Sequence, residues 1–219
     1  MLYLTDWAAM KKLMTLLLDG AGTTVSIFAW TLACSLPLGL LVAWGRMSRF
    51  RPVSALVSLY ILVMRGTPLM LQIITIYFLP GMLGLQVSRF PATILAFSLN
   101  YAAYFAEIYR GGIQAIPLGQ YEASKVLGLN RAQTFWRIIL PQAVKHILQP
   151  VSNEVITLVK DTALATTIAV GELFRAAKNE TSRTASIEPL FIAGIFYLVM
   201  NALVTLAFQI AEKKLDYYR

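Results

Sequence analysis

Residues 24–44 read TVSIFAWTLACSLPLGLLVAW, a run without a single charge, and the next seven, Gly45-Arg46-Met47-Ser48-Arg49-Phe50-Arg51, bring three arginines. A hydrocarbon core about 30 Å thick takes roughly 20 apolar residues in a helix. Backbone groups in lipid must be satisfied within the segment, so a helix is the economical solution. The stretch is therefore expected to be a transmembrane helix stopped by a basic turn. The rest of the chain agrees: 58% of its 219 residues are hydrophobic and 14% charged, a balance that suits lipid better than a water-covered surface.

Working outward, four more apolar runs of helical length follow. Val53 to Phe78 is interrupted by Arg65-Gly66-Thr67-Pro68, where the donor missing at Pro68 predicts a bent or interrupted span. The others run from Phe90 to about Tyr109, from Val151 to about Val170, and from Pro189 to Ala211. The expected architecture is an all-α membrane domain, 1–219, with spans at about 24–44, 53–78, 90–109, 151–170 and 189–211. Ahead of them, residues 1–20 pattern as a short amphipathic helix lying on the membrane interface. Its apolar positions are Leu4, Trp7, Ala8, Met14 and Leu17, and its polar ones are Asp6, Lys11, Lys12 and Asp19. No charged start with a small-residue cleavage site is evident there, so this segment is expected to stay in the mature protein.

The charge of +8 matters through its placement. With five spans, the segments 45–52, 110–150 and 212–219 share one side and hold eleven Lys and Arg residues, against six on the other. The positive-inside tendency puts the eleven in the cytoplasm, with the N-terminus outside and the C-terminus inside. The charge is thus read as a topology signal and not as a nucleic-acid surface. Trp7, Trp30, Trp44, Tyr217 and Tyr218 supply interface anchors. One cysteine, Cys34, and one histidine, His146, leave no disulfide framework or metal cluster, and no HExxH or Gly-Lys-Ser/Thr loop is present. The chain is expected to be non-catalytic, without a cofactor of its own.

The connection between spans three and four reads as two short helices. Tyr121 to Leu127 are good helix formers, and Gly128 stands where a left-handed turn ends a helix. Asn130 with Gln133 three residues on resembles a capping box, and Pro141 is expected to end the second helix. Such a helix–Gly–helix element, about 117–141, offers Ala123 and Ser124 as a rigid small-residue surface for another protein. A solvated hairpin without a partner fits the same spacing.

These residues resemble a known family: the membrane permease subunits of ATP-binding-cassette importers that depend on a substrate-binding protein. The family signature, Glu-Ala-Ala, three residues, Gly, nine residues, Ile, one residue, Leu-Pro, stands here as Glu122-Ala123-Ser124, Gly128, Ile138 and Leu140-Pro141. Ser124 replaces the second alanine with another small residue. Gly22-Thr23-Thr24, Arg65-Gly66-Thr67-Pro68, Ala103-Tyr104 with Glu107, Arg110-Gly111-Gly112-Ile113-Gln114 and Lys160-Asp161-Thr162-Ala163-Leu164 look like the polar amino acid branch, with Ala163 where serine is common. The resemblance implies a type I importer fold in a bacterial inner membrane and coupling through Glu122, Ala123, Ser124 and Gly128. It also implies a second permease copy or paralogue, ATPase subunits that carry ATP and Mg²⁺, an external binding protein and a polar amino acid as cargo.

Ionisable groups at bilayer depth cost about 2.5 to 3.5 kcal/mol each on insertion scales, so they are expected to face the bundle interior. On span four, Asn153, Glu154, Thr157, Lys160 and Asp161 recur at helical spacing and form a polar stripe. The stripe either lines a substrate path, where a zwitterion needs both signs of charge, or neutralises neighbours across a helix interface. Arg65 sits at the proline break, where it either binds a carboxylate or pins the kink to a carbonyl. Asn100 and Glu107 share a face of span three, with Glu107 a path residue or a partner of Arg110. The rival reading from another class is a stand-alone ion-coupled carrier or channel using Glu154, Lys160 and Asp161 as a relay.

Overall fold

The computed structural model describes residues 6–215, and no strand occurs among them. In chain order the helices are α1 (Trp7–Arg46), α2 (Arg51–Gly66), α3 (Leu69–Met82), α4 (Arg89–Gln114), α5 (Leu118–Val126) and α6 (Arg131–Thr134). A π-helical segment (Phe135–Ile139) leads into α7 (Leu140–Asp161), and a 3₁₀ segment (Thr162–Ile168) precedes α8 (Leu173–Thr184) and α9 (Glu188–Leu215). Leu4, Tyr217 and Tyr218, read above as interfacial residues, lie outside the described residues.

The interfacial helix expected over residues 1–20 does not exist as a separate element, because residues 7–46 form one helix. Asp6 caps it, accepting from the backbone N–H groups of Ala8 at 2.9 Å and Ala9 at 3.3 Å. At 1.5 Å per residue its 40 residues run about 60 Å, twice a hydrocarbon core. Part of the apolar face of the first turns is spent on protein: Leu17 and the nearby Leu13 are fully buried in a cluster with Leu173, Ala177 and Ala193, while Trp7 and Ala8 stay exposed. A Cβ on Gly20 would stand 3.0 Å from the Leu173 Cα, so this glycine lets α8 press against α1.

Further along α1 the buried positions Gly20, Thr24, Ile27, Thr31, Ser35, Gly39 and Ala43 repeat every three or four residues. Such a stripe of small residues lets two helices approach closely in a medium where water supplies no driving force. Its partner is α4, where Ala92, Ala96, Ala102, Ala103 and Ala106 are all buried. The aromatic ladder Phe97, Tyr101, Phe105 and Tyr109 is buried in the same helix, with ring centroids 6.1 to 6.4 Å apart along it. Helix α4 is the axis of the fold. Its length of 26 residues suffices to cross a membrane, yet only α1, α9 and the α2–α3 pair combine that length with a lipid-like composition among the described residues. A helix covered by protein on most sides has no need of a uniformly apolar surface.

The expected bend in span two is a full break. Helices α2 and α3 meet at 109° across Thr67 and Pro68. Thr67 is extended (φ −119°, ψ 150°), as the residue before a proline prefers, and Pro68 opens α3.

Two other boundaries differ from the sequence reading. Pro141 does not end a helix: the run from Arg131 to Asp161 is helical throughout, joining the loop's second arm to span four. The π segment explains this, because the Leu140 N–H reaches back five residues to the Phe135 carbonyl. The wider turn accommodates a proline ring that would otherwise clash with the carbonyl one turn earlier. Span four in turn is α-helical only to Asp161, after which the chain tightens to 3₁₀ and turns at Ala169 (φ 64°). Helix α8, in the connection between spans four and five, has no counterpart in the sequence reading.

Candidate functional site

The helix break is sealed by two carboxamides. Gln72, one turn into α3, donates to the Met64 carbonyl (2.9 Å), the Thr67 carbonyl (3.2 Å) and the Thr67 hydroxyl (2.8 Å). Asn100 on α4 donates to the same Met64 carbonyl (2.9 Å) and to Gln72 Oε1 (3.0 Å). Both side chains are buried, so they satisfy backbone groups that Pro68 leaves without helical partners. Asn100 is therefore committed to the break. Arg65 does not pin the kink, as one reading allowed; Gln72 does, and its position four residues after a proline in an apolar run was the signal.

Arg65 instead leans towards α4. Its guanidinium lies 5.2 Å above the Tyr104 ring, in cation–π range, and 4.0 Å from Glu107 Oε2. Glu107 takes a bidentate pair from Arg110, at 3.1 and 2.6 Å, and has Arg46 at 3.9 Å. One carboxylate thus faces three guanidinium groups, the closest of which is its i+3 neighbour. The charge left over is positive, and Arg65, half exposed, holds the most open share of it.

A cavity of about 490 Å³ opens beside this cluster, lined by Arg65, Tyr104 and Glu107 on one side and by His146, Pro150 and Glu154 of α7 on the other. Gly112 lines it too and sets how closely α4 and α7 approach, since a Cβ there would meet Ile147 Cγ1. Of the residues singled out in the sequence, Arg65, Glu107 and Glu154 are brought together around one space with both signs of charge.

The remaining stripe residues divide. Asp161, the last residue of α7, accepts from the Tyr101 hydroxyl at 2.7 Å, across the interface with α4. Thr157 is half-buried, while Asn153 and Lys160 are exposed. Lys160 makes no hydrogen bond or ion pair among the described residues, and its charge is felt by the neighbouring Asp161. No three His, Cys, Asp or Glu side chains among the described residues are placed to hold a metal ion.

At the hairpin, the sequence reading of the turn matches the geometry. Asn130 Oδ1 accepts from the Gln133 N–H and Gln133 Oε1 from the Asn130 N–H, both at 2.9 Å, closing a capping box. Gly128 is left-handed (φ 73°) and in open space. Glu122 and Ala123 are exposed, but Ser124 is buried, its hydroxyl bonded to the Gln120 carbonyl at 2.7 Å. Ser124 therefore does not share an outer surface with Ala123, because one residue along a helix turns about 100°. The exposed tip is instead apolar: Leu118, Val126 and Leu127 are all more than 70% exposed, flanking Glu122.

A further buried site is absent from the sequence reading. Glu172 is fully buried and caps α8, accepting from the N–H groups of Phe174 (2.7 Å) and Arg175 (2.6 Å) and from the Tyr197 hydroxyl (3.1 Å). The Leu173 N–H is taken by Thr24 Oγ1 at 3.1 Å, so α1, α8 and α9 converge on this point. Burial raises the Glu172 carboxyl above its ordinary value, against the opposing pull of those hydrogen bonds.

A family model described as the inner membrane component of binding-protein-dependent transport systems matches residues 35–217. The chain is 39% identical over 212 residues to the arginine transport system permease protein ArtQ of Bacillus subtilis, covering 96% of this chain and 97% of that one. It is 39% identical over 183 residues to the L-cystine transport system permease protein TcyB of the same organism, covering 83% and 78%. A crystal structure of an amino acid ABC transporter with histidines matches at a TM-score of 0.88 and 34% identity over 95% of this chain and 98% of that one. The fold, the broken second span and the agreement over nearly its whole length lead to one assignment: the chain belongs to the family of binding-protein-dependent transport system inner membrane components.

Proposed function

We propose that the chain is the membrane-spanning subunit of an ATP-binding-cassette importer, moving a polar L-amino acid inward by alternating access while a separate subunit hydrolyses ATP with Mg²⁺. The amino acid cargo is supported by the named relatives and by a cavity that presents Arg65 to a carboxylate and Glu154 to an ammonium group. Spans are assigned to α1, the α2–α3 pair, α4, α7 and α9, with the N-terminus outside and residues 117–141 in the cytoplasm. The exposed Lys160 and Asn153 call for a cover other than lipid, which a second permease copy or paralogue across a shared path would supply.

The observation that carries the reading is the hairpin. Its tip is apolar and uncovered, and its second arm continues without a break into α7, which lines the cavity. A push on Val126 and Leu127, at the end of α5, would pass through the left-handed turn at Gly128 to Arg131, where the helical run that carries Glu154 and Asp161 begins. The external binding protein would meet the opposite face. An ion relay through Glu154, Lys160 and Asp161 is less well supported, because Asp161 is engaged by Tyr101 while Lys160 is exposed.

The test is Val126→Asp, alone and with Leu127→Asp. The positions are exposed, so the chain should still fold and insert while losing its ATPase subunit on purification. Unchanged co-purification with unchanged uptake would remove the hairpin from the coupling role.

A further inference from the structure

A second cavity lies at the base of the hairpin, about 500 Å³ in volume, between the first turn of α5 and the junction of the π segment with α7. Among the described residues its walls carry Arg137, Lys145 and His146, two carboxamides from Gln120 and Gln142, and no carboxylate. The lining residues are otherwise Ile138 and Pro141.

The polar atoms are arranged so that donors remain over. Gln142 Nε2 donates to the Ile138 carbonyl at 2.7 Å and to Gln120 Oε1 at 3.3 Å, which fixes both side chains and turns the Gln120 amide N–H groups away from Gln142. Neither the Arg137 guanidinium nor the His146 ring makes a hydrogen bond or ion pair among the described residues. Arg137 is exposed, and Trp136 beside it is 67% exposed. A planar guanidinium, an imidazole and an amide with spare N–H groups around one opening match the oxygens of a phosphate.

We propose that this cavity binds a phosphate group, held by Arg137 with His146 and the Gln120 amide. Two sources offer that group: the headgroup of an anionic phospholipid, next to which Trp136 would sit at the interface, and a soluble phosphate compound. The site adjoins the cavity of Arg65 and Glu154, with His146 on the wall of both, and its proposed ligand is independent of which cargo the chain carries. Because helix α7 forms one wall of both cavities, occupancy here would bias the position of the cargo-facing helix.

The experiment uses the full chain with its co-purified subunits, reconstituted in nanodiscs of phosphatidylcholine alone or phosphatidylcholine with phosphatidylglycerol. Inorganic phosphate is titrated into the first set. Thermal stabilisation reports binding, since a ligand of the native state raises its apparent stability. The wild type should be stabilised by phosphatidylglycerol, which assigns a lipid headgroup, or by inorganic phosphate in the neutral discs, which assigns a soluble ligand. Arg137→Gln with His146→Gln should weaken that binding roughly ten- to a hundredfold, the range one or two charge-assisted hydrogen bonds supply. Arg137→Lys should keep most of it.

Three results would overturn the proposal. One is no stabilisation of the wild type by either probe. Another is equal stabilisation of the wild type and the double variant. The third is loss of the ATPase subunit from the double variant with anion binding unchanged, which would assign Arg137 to subunit docking.

Discussion

Replacing Gln72 by leucine removes the plug that closes the broken second span, and the structure sets the size of the effect. Gln72 is the hydrogen-bond partner of the Thr67 carbonyl and of one Asn100 N–H, while the Met64 carbonyl keeps Asn100. A buried Asn100 N–H and a part-buried Thr67 carbonyl are therefore left without partners, at about 1 kcal/mol each on the low side of the range for such losses. The lower figure is appropriate because polar side chains in membrane helices find substitute partners in the unfolded reference state. The expected destabilisation is about 2 kcal/mol. Asn100→Leu should cost a similar amount, and the double variant should fall short of additivity by roughly 0.6 kcal/mol, the average measured interhelical coupling, and by no more than about 1.7 kcal/mol, the largest. Reversible unfolding of the chain in mixed micelles, followed by circular dichroism, measures all three. Strict additivity, or a silent Gln72→Leu, would refute the assignment of these carboxamides as a shared seal.

Three further outcomes follow from the packing. Gly112→Ala places a Cβ in contact with Ile147, so it should cost about 1 to 3 kcal/mol in thermal stability, and Ile147→Ala should recover part of the loss. Gly128→Ala meets nothing in space but must adopt a left-handed backbone, so it should cost about 1 kcal/mol without impairing insertion. Glu172→Gln should flatten the pH dependence of stability. The native carboxyl titrates above its ordinary value, so its contribution to stability is full below that value and is lost as pH rises through the raised one. A pH series of melting temperatures, wild type against variant, checks the sign.

What the sequence made legible were features that local chemistry decides. The uncharged run of residues 24–44, the proline at 68, the glycine at 128 and the Asn130–Gln133 cap each specify their geometry within a few residues. What escaped depends on distant partners. Leu17 looked like part of an interfacial face until α8 and α9 arrived to cover it, and Glu172 went unnoticed because its neighbours Thr24 and Tyr197 are remote in the chain. Pro141 misled for a different reason: a π turn ahead of it relieves the clash that normally ends a helix, and nothing adjacent to it announces that turn. Among the site residues, Arg65, Glu107 and Glu154 were named from their depth in the membrane. Their convergence needed the packing of α4 on α7, set by Gly112, to become visible.

Purifying the tagged chain with the subunits that accompany it, then assaying ATP hydrolysis with each polar amino acid in turn, addresses the importer reading at its root. The account predicts a co-purifying ATPase whose hydrolysis rises with one amino acid and its binding protein, and falls back when Val126 and Leu127 are replaced by aspartate. A chain that purifies alone and drives amino acid uptake from an ion gradient, with no ATPase present, would contradict it.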